Sequence, residues 1–176
     1  EGFDHTVWER FIETLEQHNG HRHAVTEVSM DMSAAYIKGV KENCRNAQVV
    51  FDKFHVIARS IDAIERVRRD ELRNCTRQTW EELKGSQWLW RRNYEDLPED
   101  QKERINKIQE KNFATAKAYQ MKAVLQDIYK SPTRTVAEHR FKAWCRWVRW
   151  VARKQPKNLL RSMVKVANLV EKNLKG

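Results

Sequence analysis

The stretch "VSMDMSAAYIKGVKENCRNAQVVFDKFHV", residues 28–56, places an aspartate at the end of each of two apolar runs. Asp31 ends the first, Asp52 ends the second, and His55 follows three residues later. If both runs are neighbouring parallel strands, their backbones lie about 5 Å apart. Two carboxylates that close repel unless a proton or a cation joins them. Hard oxygen donors suit Mg²⁺ or Mn²⁺, which makes Asp31 and Asp52 candidate metal or catalytic residues. A structural alternative stands beside this for each. Asp31 precedes "MSAAY" and Asp52 precedes "KFHV", so either carboxylate can cap a following helix. On residue type alone, His55 is a packed core histidine sooner than an acid, a base or a ligand.

The flanking patterns say what would hold these residues. "DHTVWERFIETLEQH" repeats apolar residues at the helical period from Val7 to Leu15, with Asp4 available as its cap. Alternation over Ala24–Met30 predicts a strand, Ser33–Asn43 a short helix, and "AQVVFD" a second strand. Strand, helix and strand in so short a span make a βαβ unit, whose strands must be parallel. Beyond His55 the strand pattern stops. Ile57, Ile61, Ile64, Val67, Leu72 and Cys75 form one helical stripe, with Arg59, Arg66, Arg73 and Arg77 opposite. "WEELKGSQWLWRR" is aromatic-rich and broken at Gly85–Ser86. A helix opening at "LPED" carries Ile105, Ile108, Ala116, Tyr119 and Ala123 along one inner face as far as "SPT". Another holds Phe141, Trp144, Val148 and Val151 up to Pro156, and Asn158–Leu174 forms the last. The predicted fold class is α/β followed by all-α, with an α/β part over residues 1–55 and a helical part over residues 56–176.

Charge is distributed unevenly. From Arg134 onward there are 12 Lys/Arg against 2 Asp/Glu, so the whole net charge of +10 lies in the last quarter. A basic tail on a neutral body points to a polyanion, nucleic acid first. Lys142, Arg146, Arg149 and Arg153 share one helical face, across from Phe141, Trp144, Val148 and Val151, and would contact DNA phosphates. The alternative is a solvated surface. The tryptophans follow the apolar period and belong to the core, except Trp150, which lies off the stripe. Cys44, Cys75 and Cys145 lack metal spacing and fit buried thiols of a reducing cytosol. His18, His21 and His23 in "HNGHRH" make a histidine-rich turn rather than a zinc site. "RVRRDELR" is mostly a solvated helix face with internal ion pairs, each worth little. No apolar run approaches the roughly 20 residues a membrane helix needs. The chain opens "EGFDH" without an initiator Met, as an internal fragment would.

Residues 28–72, and "DMSAAY" and "NAQVVFDKFHV" most specifically, resemble the catalytic core of bacterial insertion-sequence transposases of the DDE type, in their ISL-three group. "LPEDQKERINKIQEKNFATAKAYQMKAVLQDIY" resembles that group's insertion segment. "FKAWCRWVRWVARKQPKNLLRSMVK" resembles the stretch leading to its last catalytic element. The resemblance implies a partial RNase H-like parallel sheet with a large helical insertion. It puts Asp31 at the second carboxylate of the triad as a metal ligand, with Asp52 and His55 in a Cys/Asp-x-x-His motif as supporting residues. It also implies Mg²⁺ or Mn²⁺, two-metal phosphoryl transfer on double-stranded DNA at transposon ends, assembly into homo-oligomers, and a cytoplasmic, nucleoid-associated location. The departures are as informative. "EGFDHTVWERF" resembles the helix after the third strand, downstream of the family's first aspartate, and no Asn-Gly-x-x-Glu-Gly-x-Asn segment carrying its glutamate occurs. With one triad carboxylate, the chain alone is expected to cut no DNA and to bind no metal tightly. The competing expectation is a non-catalytic helical module that binds DNA or protein, from a domesticated or decayed transposase. A different RNase H-like nuclease would need another acidic element downstream.

Overall fold

Glu27–Met30 (β1) and Gln48–Phe51 (β2) form a parallel pair in the computed structural model, which describes residues 6–30, 33–111 and 113–174. The register pairs Glu27 with Gln48 and Met30 with Phe51. One helix, α2 (Ala34–Asn43), lies between the strands in sequence, and α1 (Thr6–Gln17) precedes them. The βαβ order is as expected, but β1 is shorter. The Ala24 N–H donates to His21 O at 2.9 Å in a 3₁₀ turn over Arg22–Ala24, and Asn46 Nδ2 holds His23 O. Those bonds take the backbone groups that a strand from Ala24 would need. The Asp4 cap expected for α1 lies outside the described residues.

The first compact unit runs to His55. Its core is Trp8, Ile12, Val40 and Cys44, against which Val28, Met30 and Val49 of the strands pack. Two strands alone are marginal in water, so this apolar layer is what stabilises them. Its tightest point is Gly39. A Cβ there would stand 2.0 Å from Trp8 Cδ1, so only glycine lets α2 approach the indole. Trp8 Nε1 is buried and has no acceptor among the described residues.

The second unit, Val56–Leu174, has helices and no strand among the described residues. It takes most of α3 (Lys53–Leu72), then α4 (Arg77–Leu83), α5 (Glu99–Glu110), α6 (Ala114–Ile128), α7 (Arg134–Arg153) and α8 (Arg161–Lys172). Apolar residues at the helical period fill the interior, among them Ile64, Val67, Met121, Leu125, Trp144 and Met163. Each such side chain contributes about 1.5–3 kcal/mol by leaving water. Trp144 Nε1 donates to Met121 O at 3.0 Å, fastening α7 to α6, and Cys145 Sγ meets Ala167 O of α8 at 3.3 Å. Burial raises the Cys145 thiol pKa to about 11. α4 stops at Gly85, whose φ of 69° a side chain would strain.

Two buried charges organise the irregular parts. Glu71, 8% exposed near the end of α3, accepts from the N–H groups of Ala114 (2.7 Å) and Thr115 (2.8 Å) and from Thr115 Oγ1 (2.7 Å). A carboxylate there satisfies two free N–H groups and complements the helix dipole. This corrects one expectation and sharpens another. The single helix expected from "LPED" to "SPT" is two, α5 and α6, because a side chain more than forty residues upstream starts the second. "RVRRDELR" is not all solvated: Glu71 and Arg68 are buried, and Glu65 binds both Arg68 and Arg69.

The other buried charge is Lys122 of α6, 1% exposed. Its Nζ donates to Arg92 O at 2.8 Å and Trp90 O at 3.4 Å, and stands 4.7 Å over the Tyr119 ring. The Tyr119 hydroxyl also donates to Arg92 O, at 3.1 Å. Burial lowers the Lys122 pKa to about 8, only partly offset by the Glu95 and Asp96 carboxylates, and raises that of Tyr119 to about 12.

Replacing Glu71 by Ala leaves buried N–H groups without an acceptor, and urea unfolding should register a loss of about 3 kcal/mol; Gln, which keeps an acceptor oxygen, should lose less. Lys122 gives a pH signature. Its folded pKa lies below the unfolded value, so between pH 8 and 10 the unfolded chain holds a proton that the folded chain has released. Stability therefore rises with pH over that window, before Tyr119 opposes it from about pH 10. The pH-dependent difference between wild type and Lys122→Met, followed by chemical denaturation, should track this rise.

Candidate functional site

The carboxyl ends of the two strands are level. Met30 is paired with Phe51, and the Asp52 N–H donates to Met30 O at 2.9 Å, so the ladder runs one bond past β2. Asp31 follows Met30 in the chain and lies outside the described residues.

Asp52 ends the strand and caps the helix. Its Oδ1 accepts from the Phe54 N–H at 2.8 Å, at the start of α3, while its carbonyl accepts from the His55 N–H. The other carboxylate oxygen, Oδ2, stands 3.9 Å from His55 Nε2. That is too long for a direct hydrogen bond. The His55 side chain is 55% exposed, which corrects the expectation of a packed core histidine. It is the third residue of an amphipathic helix, where Val56 rather than His55 turns inward. Phe54 is 71% exposed, with Lys53 Nζ 5.2 Å from its ring centroid. Asp52 thus fixes the first turn of α3, and this turn presents an imidazole and an aromatic ring to solvent.

Among the described residues no group of three or more His, Cys, Asp and Glu side chains could hold one metal ion. The described donors do not fit a divalent metal by themselves: Asp52 spends one oxygen on its cap and has only His55 beside the other. His18, His21 and His23 fall on the turn after α1 and the 3₁₀ segment.

On α7 the four predicted basic residues separate. Lys142, Arg146 and Arg153 are exposed. Arg149 is half-buried, forms an ion pair with Glu171 of α8 and donates to Asn168 Oδ1 at 2.9 Å. That pairing holds the Glu171 carboxyl below its usual range and raises the Arg149 pKa, so Arg149 fastens α7 to α8. The residue missing from the predicted set is Lys154, exposed, with its Nζ 3.5 Å from the Trp150 ring centroid. Trp150 itself is 54% exposed, as its place off the apolar stripe implied. The i to i+4 spacing of Trp150 and Lys154 carried that signal.

No helix among the described residues is long and apolar enough to cross a membrane. No solved structure matches the chain. The transposase for insertion sequence element IS1001 of Bordetella parapertussis is 26% identical over 159 residues, which cover 86% of this chain and 36% of that protein. The chain thus spans about a third of the length of this curated relative. A family model described as a transposase, of the DDE type and ISL-three group, matches residues 2–175. With nearly its whole length inside that match, the chain belongs to the ISL-three group of DDE transposases.

Proposed function

We propose that this chain is a segment of an enzyme that cuts and joins DNA at transposon ends, combining part of an RNase H-like core with a helical region that contacts DNA or a partner subunit. The observation that carries this is the parallel pair β1–β2 with its carboxyl ends level, within a chain matched to the family from residue 2 to 175. In an open parallel sheet, ligands meet the protein beyond the carboxyl ends of the strands. Asp31 follows one such end and Asp52 follows the other.

Asp31 is proposed as a metal ligand, and the further carboxylates of the site come from outside this chain. Membership of the family implies a divalent cation in the intact enzyme, Mg²⁺ or Mn²⁺, which would supply charge stabilisation for phosphoryl transfer. Asp52 and His55 are positioning residues: the Asp52 cap fixes the first turn of α3 and thereby places the imidazole beside its second carboxylate oxygen. Lys142, Arg146 and Arg153 are proposed to bind backbone phosphates, with Arg149 holding their helix in place. Homo-oligomers on duplex DNA, in the cytoplasm at the nucleoid, complete the proposal.

Two experiments test it. In the longer protein, Asp31→Ala should abolish Mg²⁺-dependent cleavage of transposon-end DNA, whereas the 176-residue chain alone should leave the same DNA intact. Nicking by the isolated chain that disappears in Asp31→Ala would overturn the proposed division of ligands. At Asp52, Ala removes the cap and should lower stability by about 1 kcal/mol, while Asn keeps it within a few tenths. A stable Asp52→Asn enzyme whose pH–rate profile shifts supports positioning of His55; an unshifted profile reduces Asp52 to a cap.

A further inference from the structure

Between α3 and α8 runs a groove of about 280 Å³, lined by Arg59, Asp62 and Arg66 from one helix and Ser162, Lys165 and Leu169 from the other. Arg59, Arg66 and Lys165 are exposed at its edges, and none of the three has an ion-pair or hydrogen-bond partner among the described residues. This differs from the arginines further along α3 and just past its end, where Arg68 and Arg69 share Glu65 and Arg73 faces Asp70. Asp70 also receives Arg161 of α8 at 3.3 Å. Asp62 is the sole carboxylate lining it, and no arginine or lysine stands within ion-pair distance of it among the described residues. Three cations facing one open cleft repel one another, and this is relieved when an anion enters.

We infer that the α3–α8 groove is a binding site for the phosphodiester backbone of a nucleic-acid strand, with Arg59, Arg66 and Lys165 as its phosphate contacts and the Ser162 hydroxyl as a neutral donor. This rests on the DNA-binding part of the proposed function and assigns it a second surface. The geometry favours a strand over a single phosphate. Arg59 and Arg66 are seven residues apart on one helix, a spread of about 10 Å, which spans more than one phosphate group. No aromatic ring lines the groove, so nothing there stacks a base, and its floor of Ala63, Val166 and Leu169 offers no hydrogen bonds to base edges. Such a surface positions a duplex without reading its sequence. Leu169 lies next to Asn168, which accepts from Arg149, so α8 is a shared wall between this groove and the basic face of α7.

The test measures affinity of the 176-residue chain for a labelled duplex by fluorescence anisotropy across a salt series. The combined change Arg59→Gln, Arg66→Gln and Lys165→Gln should weaken binding tenfold or more at about 0.1 M salt and reduce the slope of log affinity against log salt by about 3. Asp62→Asn, a change of one exposed carboxylate, should tighten binding several-fold, and that gain requires a folded chain. Lys142→Gln, Arg146→Gln and Arg153→Gln form the comparison set on α7. If wild type binds and the groove changes alter neither affinity nor slope, the groove assignment falls while DNA binding stands. If wild type binds no duplex even at low salt, both fall. Competition by inorganic phosphate at low millimolar concentration with no loss to the duplex set would reassign the groove to a small anion and overturn it as a strand site.

Discussion

Two parallel strands of four residues each must be held side by side by something other than their own hydrogen bonds, and here it is the contact of one indole with one glycine. The β1–β2 ladder is too small to persist alone. What fixes it is the apolar layer in which Trp8 lies against Gly39, with Ile12, Val40 and Cys44 around them. Any side chain at position 39 would push α2 off α1, and the strands pack on that same cluster. The register then follows from alternation: Val28 and Met30 point to the cluster, so a slip of one residue would turn them to the other face. Because Met30 and Phe51 end level, the chain positions of Asp31 and Asp52 follow paired residues.

The helical unit solves a different problem, since its difficulty is the irregular chain between α4 and α5. Buried lysines are costly, and Lys122 is tolerated because two backbone carbonyls and the face of Tyr119 replace its water. Those carbonyls belong to Trp90 and Arg92, so the charge holds a loop that the helical period cannot place. Ser86 extends the same logic, accepting from Trp90 Nε1 at 2.9 Å while donating to Leu83 O. Glu71 does the corresponding work at the start of α6. In both places a charged side chain on a regular helix satisfies backbone groups of a segment with no regular partner.

This explains what could be read from the residues in order. Local patterns carry local structure: alternation marks β1, a β-branched and aromatic run marks β2, and the apolar period marks α3 and α7 with shifts of a few residues at their ends. The break between α5 and α6 was illegible because the apolar face continues across it through Ile108 and Ala116, and the side chain that starts α6 belongs to α3. Residue type alone favours a core place for His55, but position on the helix decides, and Val56 takes the inward place. Asp52 was open between cap and chemistry, and the cap is present, using one of its two oxygens. That arrangement leaves the second oxygen beside His55, so capping and a role in the site are compatible within a single carboxylate.

Charge shows most clearly how much spacing omits. Four basic residues on one face of α7 look equivalent on a helical wheel, yet Arg149 is committed to Glu171 and Asn168. Its role is to set the distance between α7 and α8, and by doing so it decides which cations remain for a ligand. The acidic residues of the last quarter, Glu138 and Glu171, are each spent on an arginine, Arg134 and Arg149. Neutralising those pairs leaves exposed positive charge on Lys142, Arg146, Arg153 and Lys154, and on Lys165 and Lys172 of α8. A field of one sign over an exposed helical surface draws a polyanion from a distance set by the Debye length, about 8 Å at physiological salt. The ion pairs inside the helical unit therefore do two things at once: they fix the packing of its last helices and leave those helices with an excess of unpaired, exposed cations.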